Sequence, residues 1–425
     1  MAGSAREYHL RCCACGTTYD DDGVRLDCDQ PHPPALLRSV YPQQLNRAPY
    51  DTSMARFAAW LPRSRAIVTG ARTAVFRGER LGRHLGLRDL WIAFNGWWPD
   101  RGATLATATF KELEAVAVLA RLAPGERRTI VVSSAGNTAA AFASIATETD
   151  LPVLIVIPLD AWDALAGLVR VGPSVRIVAI ADGTYEDAIA LAKRLAARDG
   201  YVAEGGVRNV GRRDGMGTIM LSAADAIGAL PGAYVQAVGS AAGALAAHEA
   251  ALRLIGDGRF GRHLPRLVLG QNAPFTPIHD AWDRRAATLA EITPAEARER
   301  QRRIAASVLG NPAPPYAAAG GVREALAASN GSTFAVTNDE MATAMTLFAE
   351  LEGIDVEPAA GVATATLAHA VRAGAIAPDE TVLLNVTGGG RRLRPRVTVP
   401  QRPALVIDRA QLDIGPDLIA DGIGA

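Results

Sequence analysis

Short runs of β-branched residues alternate with alanine- and leucine-rich stretches along the chain from about residue 129. The runs 129–133, 153–157 and 175–180 predict strands, because β-branched side chains fit the pleated surface of a sheet. The stretch after residue 184 carries apolar residues at helical spacing and ends at Gly200, which is typical of an amphipathic helix. This alternation predicts βαβ units with a parallel sheet.

A second set of alternating elements follows after residue 230. The runs 234–238, 266–270 and 381–386 predict strands, and the alanine-rich stretches between them predict helices. Thr337 and Glu340 are spaced as a capping box, in which each side chain accepts a hydrogen bond from the backbone of the other residue. A helix is therefore expected to begin at this point, and the fold class is predicted to be α/β.

Three of the predicted strands lead into segments of small or polar residues, at 134–138, 239–243 and 387–390. In open α/β sheets, ligands bind at the carboxyl ends of the strands, where the N-termini of the following helices attract anions. We therefore expect these three segments to share one binding site.

Composition narrows the class of protein. The 425 residues predict two or three domains, and 49% hydrophobic with 21% charged residues is typical of globular proteins. The 44 basic residues balance the 44 acidic ones, which argues against a nucleic-acid or membrane-surface partner. Neither a membrane-spanning apolar run nor an amino-terminal secretory signal is visible, so we expect a cytoplasmic protein.

Only two of the 44 basic residues are lysines, Lys111 and Lys193. Lys193 lies on an amphipathic helix and is interpreted as a surface residue. Lys111 stands between small polar residues and a strongly apolar helix, which suits either a surface lysine or an amine that forms a Schiff base. Arginine cannot replace such an amine, because its guanidinium does not lose its proton. A cofactor aldehyde such as pyridoxal phosphate would explain why lysine is kept here.

The segments around Lys111 and Asn137 resemble those of a known enzyme group. TATFKELEA and SSAGNTAAAFA resemble the lysine and asparagine segments of the fold-type II pyridoxal-phosphate enzymes of the threonine synthase group. Within this group, the resemblance points to the cysteate synthase family through GWWPDRGATLATATFKELEA, AEGGVRNVGRRDGMGTIML, QAVGSAAGALAAHEAALRL, GRHLPRLVLGQNAPFTPIHDAW, NPAPPYAAAGG and LLNVTGGG. It extends from the amino-terminal CCACG to about Arg392, and it implies two open α/β domains, similar to the tryptophan synthase β subunit, with the cofactor in the cleft between them.

The resemblance implies roles for individual residues. Lys111 would carry the cofactor and move the α-proton, Asn137 would bond the ring oxygen, and Thr387 would face the pyridine nitrogen. The cofactor phosphate would be held by Gly239, Ser240, Ala241, Ala242 and Gly243, and the substrate carboxylate by Ser134, Ala135, Gly136 and Thr138. Ala241 and Ala242 stand where the family has glycines, and a positive φ would be unfavourable for alanine.

Three arginines close together in the chain form a candidate anion-binding group. Arg208, Arg212 and Arg213, with Asn209, would bind substrate phosphate and sulfite through bidentate hydrogen bonds. A solvent-exposed run of charges is the alternative interpretation.

The amino-terminal cysteines resemble the zinc-ribbon-like start of the same group. A structural zinc ion takes four ligands, usually from two Cys-x-x-Cys pairs. Cys12, Cys15 and Cys28 supply three, Cys13 adjoins the first, and only Asp29 and His32 stand nearby as substitutes. With the second pair incomplete, we expect no metal, and the three cysteines remain weak candidates.

The resemblance also implies a domain organisation and an oligomeric state. Residues 1–107 would form an arm and the first part of a large domain, 108–200 a small domain, 201–400 the rest of the large domain, and 401–425 a tail. A homodimer is expected.

The implied reaction is β-replacement on O-phospho-L-serine with sulfite, which gives L-cysteate and phosphate. Three alternatives stay open: a threonine synthase acting on O-phosphohomoserine, β-replacement with another nucleophile, and a non-catalytic binding module that keeps the fold.

Overall fold

The computed structural model describes residues 7–48, 51–66, 68–134, 136–398 and 401–412. Its strands are β1 His9–Cys12, β2 Thr18–Tyr19, β3 Leu37–Val40, β4 Ala74–Arg77, β5 Asp89–Phe94, β6 Trp97–Trp98, β7 Ala103–Thr104, β8 Thr129–Ser133, β9 Val153–Pro158, β10 Val175–Ala181, β11 Tyr201–Ala203, β12 Ala233–Ala237, β13 Arg266–Asn272, β14 Ser332–Val336, β15 Thr381–Val386 and β16 Leu405–Asp408. Its α-helices are α1 Glu79–Leu85, α2 Lys111–Arg121, α3 Asn137–Thr149, α4 Trp162–Ala166, α5 Tyr185–Ala196, α6 Val210–Ile227, α7 Ala242–Asp257, α8 Pro277–Asp283, α9 Pro294–Arg303, α10 Val322–Ala328, α11 Asn338–Glu352 and α12 Pro358–Arg372.

The larger of the two main sheets has six strands in the order β14-β13-β12-β15-β5-β4. Its pairs are parallel except for β4, which lies antiparallel on the β5 edge. Every residue of β12 is buried, as expected for a parallel strand that is covered on both faces. The strands predicted at 234–238, 266–270 and 381–386 are thus confirmed.

The smaller main sheet has five strands in the order β11-β8-β9-β10-β16, and all its pairs are parallel. The runs predicted as strands at 129–133, 153–157 and 175–180 lie at its centre. Its last strand comes from residues 401–425, which the sequence assigned to a tail, because Leu405–Asp408 pairs with β10. The α/β prediction is confirmed, whereas the proposed domain boundaries stay a prediction.

The amino-terminal residues form a separate three-stranded antiparallel sheet in the order β2-β1-β3. Hydrogen bonds attach this sheet to α2 and α6. The Tyr41 hydroxyl after β3 donates to Asp214 of α6 at 2.8 Å, and Arg121 at the end of α2 donates to Asp21 at 2.7 and 2.8 Å. The arm therefore contacts α2, which carries Lys111, and α6, which carries Arg212 and Arg213.

Helix α2 lies in the interior of the molecule, where it packs against α3 and α6. All of its residues after Lys111 are buried, including two glutamates. This burial places the amine of the first residue at the junction of three helices. Among the described residues, we find no helix that combines the length and the apolar character needed to cross a membrane.

Candidate active site

Lys111 is the first residue of α2, and the loop before it is attached to the end of β15. Thr109 pairs with Gly388, and the Phe110 N–H donates to the Thr387 carbonyl at 3.0 Å. Ala108 has a φ of +56°, in the left-handed region that L-residues seldom adopt. Backbone strain of this kind is concentrated at functional sites. The structure therefore brings the predicted segments 387–390 and Lys111 together.

Glu114 lies one turn along α2 and is the centre of a buried ion-pair network. The Lys111 amine donates to its Oε2 at 3.0 Å, and Arg212 Nη1 of α6 lies 3.0 Å from the same carboxylate. The Thr138 hydroxyl donates to Oε1 at 3.0 Å. Arg212 is also paired with Glu204, at 3.0 and 2.6 Å. Two cations and two anions thus balance inside the protein.

The network controls how readily the amine loses its proton. Burial lowers the pKa of the Lys111 amine from its usual value, and the nearby Arg212 charge lowers it further. The Glu114 carboxylate opposes both effects, because it favours the charged amine. The side chain of Lys111 is 19% exposed, so the amine is sheltered but still accessible to a ligand.

Asn137 is the first residue of α3 and is held by a second glutamate. Its Nδ2 donates to Glu357 Oε2 at 2.9 Å, and its Oδ1 accepts from Arg391 Nη2 at 2.7 Å. Arg391 also forms an ion pair with Glu357 Oε1 at 2.5 Å. Burial raises the pKa of the Glu357 carboxyl group, while Arg391 and Asn137 counteract this rise. Hydrogen bonds to both its nitrogen and its oxygen therefore fix the orientation of the Asn137 amide.

A cavity of about 320 Å³ borders the Asn137 side of the site. It is lined by Gly136, Asn137, Ala164, Leu165, Leu168, Ala305, Ala306, Ser307, Val308, Asp355, Val356, Glu357, Pro358 and Arg391. Its size suits a small molecule, and its lining combines apolar side chains with a few polar groups. Lys111 is not among the lining residues, so the cavity lies beside Asn137, Glu357 and Arg391 rather than beside the amine.

The predicted phosphate segment is the junction between β12 and α7. Ala241 adopts φ +58° and ψ 12° at the N-cap of α7, and the Ser240 hydroxyl accepts a long 3.5 Å hydrogen bond from the Ala242 N–H. Alanine thus occupies the left-handed conformation that glycine would adopt without steric cost. The first turn of this 16-residue helix has N–H groups without intrahelical partners, and such a helix start would favour the binding of an anion.

The two glycines of this segment are required by close contacts. A Cβ on Gly239 would lie 2.9 Å from the Leu309 carbonyl oxygen. A Cβ on Gly243 would lie 2.9 Å from the Phe110 ring and 2.7 Å from the amide nitrogen of Gln236. Phe110 immediately precedes the lysine, so this close approach sets the phosphate segment beside the start of α2.

The segment predicted to hold the substrate carboxylate lies between β8 and α3. Ser134 and Gly136 lie in this loop, where the Ser134 hydroxyl accepts a 3.4 Å hydrogen bond from the Gly136 N–H. The Thr138 hydroxyl, predicted to bind substrate, points instead to Glu114. Ala135 lies outside the described residues.

The structure does not bring the three predicted arginines together. Arg208 is half-exposed and pairs with Asp27 at 2.6 Å. Arg213 is fully buried. Its Nε lies 3.1 Å from Glu249, and its two Nη groups donate hydrogen bonds to the carbonyls of Val207 and Leu37. Arg212 and Arg213 are neighbours on α6 and therefore point in different directions, whereas Arg208 lies in the turn before the helix begins.

Of this group, Arg212 alone contacts the Glu114 carboxylate, whereas Asn209 donates to the backbone carbonyl of Glu204 at 2.7 Å. Asn209 has a local structural contact, because its Oδ1 caps α6 by accepting the Gly211 N–H at 2.9 Å. The alternative interpretation of a solvent-exposed run of charges does not describe the segment either, since Asn209, Arg212 and Arg213 are buried.

Sequence reasoning missed both glutamates and Arg391. Glu114 and Glu357 lie in apolar or alanine-rich stretches that give no sign of their partners. Arg391 directly follows Gly388–Gly390, and a basic residue after a glycine-rich strand end was a signal that could have been used. Also missed was a buried ladder of hydrogen bonds across the large sheet, formed by Thr73, Asn95, Asn385, Tyr234 and Gln236.

The amino-terminal cysteines are closer to a complete ligand set than their spacing indicated. Ligand atoms of Cys12, Cys15, Cys28 and His32 all lie within 4.8 Å of one another. His32 thereby takes the fourth position that the sequence left without a cysteine, whereas Cys13 is not part of the group.

The donors at the site fit the cofactor that the resemblance implies. A sheltered amine, an oriented amide and the N-terminus of α7 supply a covalent anchor, a partner for a ring oxygen and a phosphate site. In addition, the buried Oγ1 of Thr109 makes no hydrogen bond within the described residues. A buried hydroxyl without a partner is costly, and a ligand beside Lys111 would satisfy it.

Comparisons with known proteins agree with this fit. The family described as "Pyridoxal-phosphate dependent enzyme" matches residues 69–388. The chain is 43% identical to the cysteate synthase of Methanoregula boonei, over 95% of both chains. It is 45% identical to that of Methanosphaerula palustris over 90% of both, and 40% identical to that of Methanosarcina mazei over 96% of this chain and 98% of the relative.

Solved structures show the same fold at low sequence identity. Threonine synthase from Escherichia coli superposes with a TM-score of 0.61 and 16% identity, covering 97% of this chain and 99% of that one. Maize serine racemase gives a TM-score of 0.57 and 15% identity, covering 75% of this chain and 88% of that one. The fold is the fold-type II arrangement, and the cofactor is pyridoxal 5'-phosphate. The chain belongs to the cysteate synthase family of pyridoxal-phosphate-dependent enzymes.

Proposed function

We propose that this protein makes L-cysteate and phosphate from O-phospho-L-serine and sulfite by β-replacement. The observation that carries the proposal is the identity of 40–45% to curated cysteate synthases over nine-tenths or more of this chain. Identity at this level along the whole chain favours the same reaction over threonine synthesis, because the likeness to threonine synthase is one of fold alone.

Lys111 is proposed as the catalytic base. When bound, pyridoxal phosphate supplies an electron sink that stabilises negative charge at the α-carbon of an amino acid. The chain must then supply a group that takes the α-proton and returns it. The Lys111 amine suits this task because its lowered pKa brings the neutral form closer to physiological pH.

Glu114 and Arg212 are proposed to position the amine rather than to contact substrate. The Glu114 carboxylate holds the Lys111 amine at 3.0 Å, and Arg212 holds the carboxylate in turn. Because Arg212 already has Glu204 as a bidentate partner, its guanidinium is occupied by protein groups. Among the three arginines of the sequence prediction, we therefore propose a positioning role for Arg212 alone.

Arg391 is proposed as the cation that attracts the anionic groups of the substrates. Its side chain is 39% exposed, lines the cavity, and lies 2.7 Å from the Asn137 amide oxygen. Phosphate and sulfite are both dianionic near neutral pH, and a guanidinium binds such oxygens in a bidentate way.

The proposal is tested by supplying the purified holoenzyme with O-phosphoserine, with and without sulfite. We expect sulfite-dependent cysteate, identified by mass spectrometry, together with an equal amount of phosphate. O-phosphohomoserine serves as the second substrate, and release of phosphate from it with formation of threonine would overturn the proposal. Sulfide or an amine in place of sulfite tests the remaining nucleophiles.

The two lysines of the chain provide a matched pair of variants. Lys111→Ala should lower the rate of cysteate formation by about 10³-fold or more, because it removes the proposed base and cofactor anchor. Lys193→Ala should leave the rate unchanged. Borohydride reduction followed by peptide mass mapping should place a pyridoxyl group on Lys111 and none on Lys193. A protein without this adduct would be a non-catalytic module.

We also propose that the enzyme is a cytoplasmic homodimer with the domain division given by the sequence, except that residues 405–408 belong to the five-stranded sheet instead of a separate tail. The family resemblance supports the dimer, and the four thiols, none of which is in a disulfide, suit a reducing compartment. Light scattering would give a mass of about twice the 44.6 kDa of one chain if the dimer proposal is correct.

A further inference from the structure

The amino-terminal sheet carries a group of thiols and one imidazole that the proposed reaction does not use. Cys12 ends β1, Cys15 lies in the turn before β2, and Cys28 and His32 follow in the loop before β3. One ligand atom from each lies within 4.8 Å of all the others. From this geometry we propose that the four residues bind one structural zinc ion.

The separations between these atoms match a tetrahedral zinc site. Zinc–sulfur bonds of about 2.3 Å and zinc–nitrogen bonds of about 2.0 Å at tetrahedral angles place sulfurs about 3.8 Å apart and a sulfur about 3.5 Å from a nitrogen. The sulfurs of Cys15 and Cys28 are 3.7 Å apart, and the Cys12 sulfur lies 3.3 Å from His32 Nε2. Small shifts of the side chains would complete the coordination.

The surroundings of His32 leave its Nε2 available to bind a metal ion. Its Nδ1 lies 2.7 Å from the Pro33 carbonyl, which only accepts hydrogen bonds, so Nδ1 carries the proton. The lone pair is then on Nε2, which faces the Cys12 sulfur. A carbonyl that orients the imidazole in this way is the usual partner of a zinc-bound histidine.

Backbone N–H groups point at two of the sulfurs in a repeated pattern. The Ala14 N–H donates to the Cys12 sulfur and the Gln30 N–H donates to the Cys28 sulfur, both at 3.4 Å. In each case the donor lies two residues after the cysteine. Such donors stabilise thiolates, which are the form that binds zinc. The loops after Cys12 and Cys28 therefore share the same N–H···S hydrogen bond.

A disulfide is a poorer explanation of this group. A disulfide would involve only two of the four residues, with an S–S bond of about 2.05 Å. It would not explain why His32 and the third thiol lie next to them. Three sulfurs and one nitrogen within 4.8 Å of one another favour zinc over magnesium or calcium, which prefer oxygen ligands.

The zinc ion would order the loop that joins the arm to the catalytic helices. The loop between Cys15 and Cys28 contains Asp21, which pairs with the fully buried Arg121 at the end of α2. The Arg25 carbonyl accepts a second bond from Arg121 at 2.6 Å. Loss of the metal should therefore loosen contacts at the opposite end of the helix that begins at Lys111.

The first test measures the metal content of the full-length enzyme purified under reducing conditions. We expect about one zinc per chain by elemental analysis. Cys12→Ser, Cys28→Ser and His32→Ala should each lower the zinc content at least several-fold. Cys13→Ser is the matched control, because Cys13 adjoins the ligand set and should keep the full zinc content. Zinc retained by all three ligand variants would overturn the proposal.

A second measurement uses the wild-type chain, so that it does not depend on the folding of a variant. After zinc is removed by a chelator, Co²⁺ is added and the visible spectrum is recorded. A tetrahedral site with three thiolates should give sulfur-to-cobalt charge-transfer bands and intense d–d bands, which Zn²⁺ then abolishes. Protein that holds no zinc after Zn²⁺ is added, and gives no such bands with Co²⁺, would also overturn the proposal.

A third measurement follows the consequence for the arm. Chelation should lower the midpoint of thermal unfolding by several degrees, and Zn²⁺ should restore it. Hydrogen exchange should become faster in the loop between Cys15 and Cys28 when the metal is removed. Unchanged exchange in this loop would contradict an ordering role.

Discussion

Lys111 and Asn137 are held in similar ways, although they lie on different helices. Each donates a hydrogen bond to a glutamate, and each glutamate is paired with an arginine, Arg212 on one side and Arg391 on the other. The side chains of Glu114 and Arg212 are 0% and 9% exposed, whereas those of Glu357 and Arg391 are 10% and 39% exposed. The glutamate–arginine ion pair is thus buried next to Lys111 and partly exposed next to Asn137.

The difference in burial indicates different roles for the two ion pairs. Charges taken out of water need strong partners, so a buried pair is costly to break and keeps one geometry. An ion pair at the surface is screened by water and contributes little to stability. We infer that the lysine side is rigid, while Arg391 is free to exchange Glu357 for an anion that enters the cavity.

The largest effect is expected from Arg212→Met. This variant removes the cation between Glu114 and Glu204 and leaves two carboxylates buried beside each other. Breaking a buried pair costs about 3–5 kcal/mol, so the free energy of unfolding should fall by about this amount. Urea unfolding of the cofactor-free protein measures the change.

Arg208→Met is the control for this variant, since Arg208 is half-exposed and pairs with Asp27 at the surface. It should change the free energy of unfolding by less than about 1 kcal/mol. Equal effects of the two variants would contradict the contrast between buried and exposed pairs.

An intermediate effect is expected at a third glutamate of the same region. The buried Glu112 carboxylate accepts hydrogen bonds from the N–H and the hydroxyl of Thr107. Burial raises the pKa of this carboxyl group to about 7. The unfolded chain has the lower pKa, so the wild-type protein loses stability as pH rises from about 4.5 through 7. Glu112→Gln should remove this loss.

The measurement is the free energy of unfolding of both proteins at pH 5 and pH 8. Relative to wild type, the stability of Glu112→Gln should rise by about 2–3 kcal/mol between these pH values. Glu299→Gln on the exposed face of α9 makes the same change of charge and should show little dependence on pH. A constant difference for Glu112→Gln would show that Glu112 titrates normally.

The smallest effect on stability is expected from Arg391→Met. Because Arg391 is 39% exposed and the Asn137 amide also binds Glu357, the free energy of unfolding should fall by less than for Arg212→Met, by about 1–2 kcal/mol. The same variant should raise the KM for O-phosphoserine or sulfite several-fold, since the proposed anion contact is lost. Steady-state kinetics separates the two effects, and an unchanged KM would remove Arg391 from the proposed substrate contacts.

Local signals in the sequence predicted most of the secondary structure. The capping box at Thr337 and Glu340 is present at the start of α11, and Gly353 ends that helix in a left-handed conformation. Such features depend on residues within one or two turns, so they can be read without the fold. Six of the eleven strands of the two main sheets were predicted for the same reason, because runs of mostly apolar, β-branched residues mark them in the sequence.

Contacts between distant residues could not be predicted in this way. Asn137 and Glu357 are 220 positions apart in the chain. Arg212 and Arg213 are neighbours in sequence, yet they pair with different glutamates, because a helix rotates about 100° from one residue to the next. Which arginine faces the site is decided by the orientation of α6, and composition carries no information on that orientation.

Strand β16 has a consequence for how the chain is handled in the laboratory. Residues 405–408 cover the edge of β10, whose paired residues Val178–Ala181 are almost entirely apolar. A chain shortened at residue 400 would expose that edge, and an exposed apolar edge strand recruits other chains into intermolecular sheets. Removing these last residues should therefore favour aggregation, and a purification tag is better attached where it leaves this pairing intact.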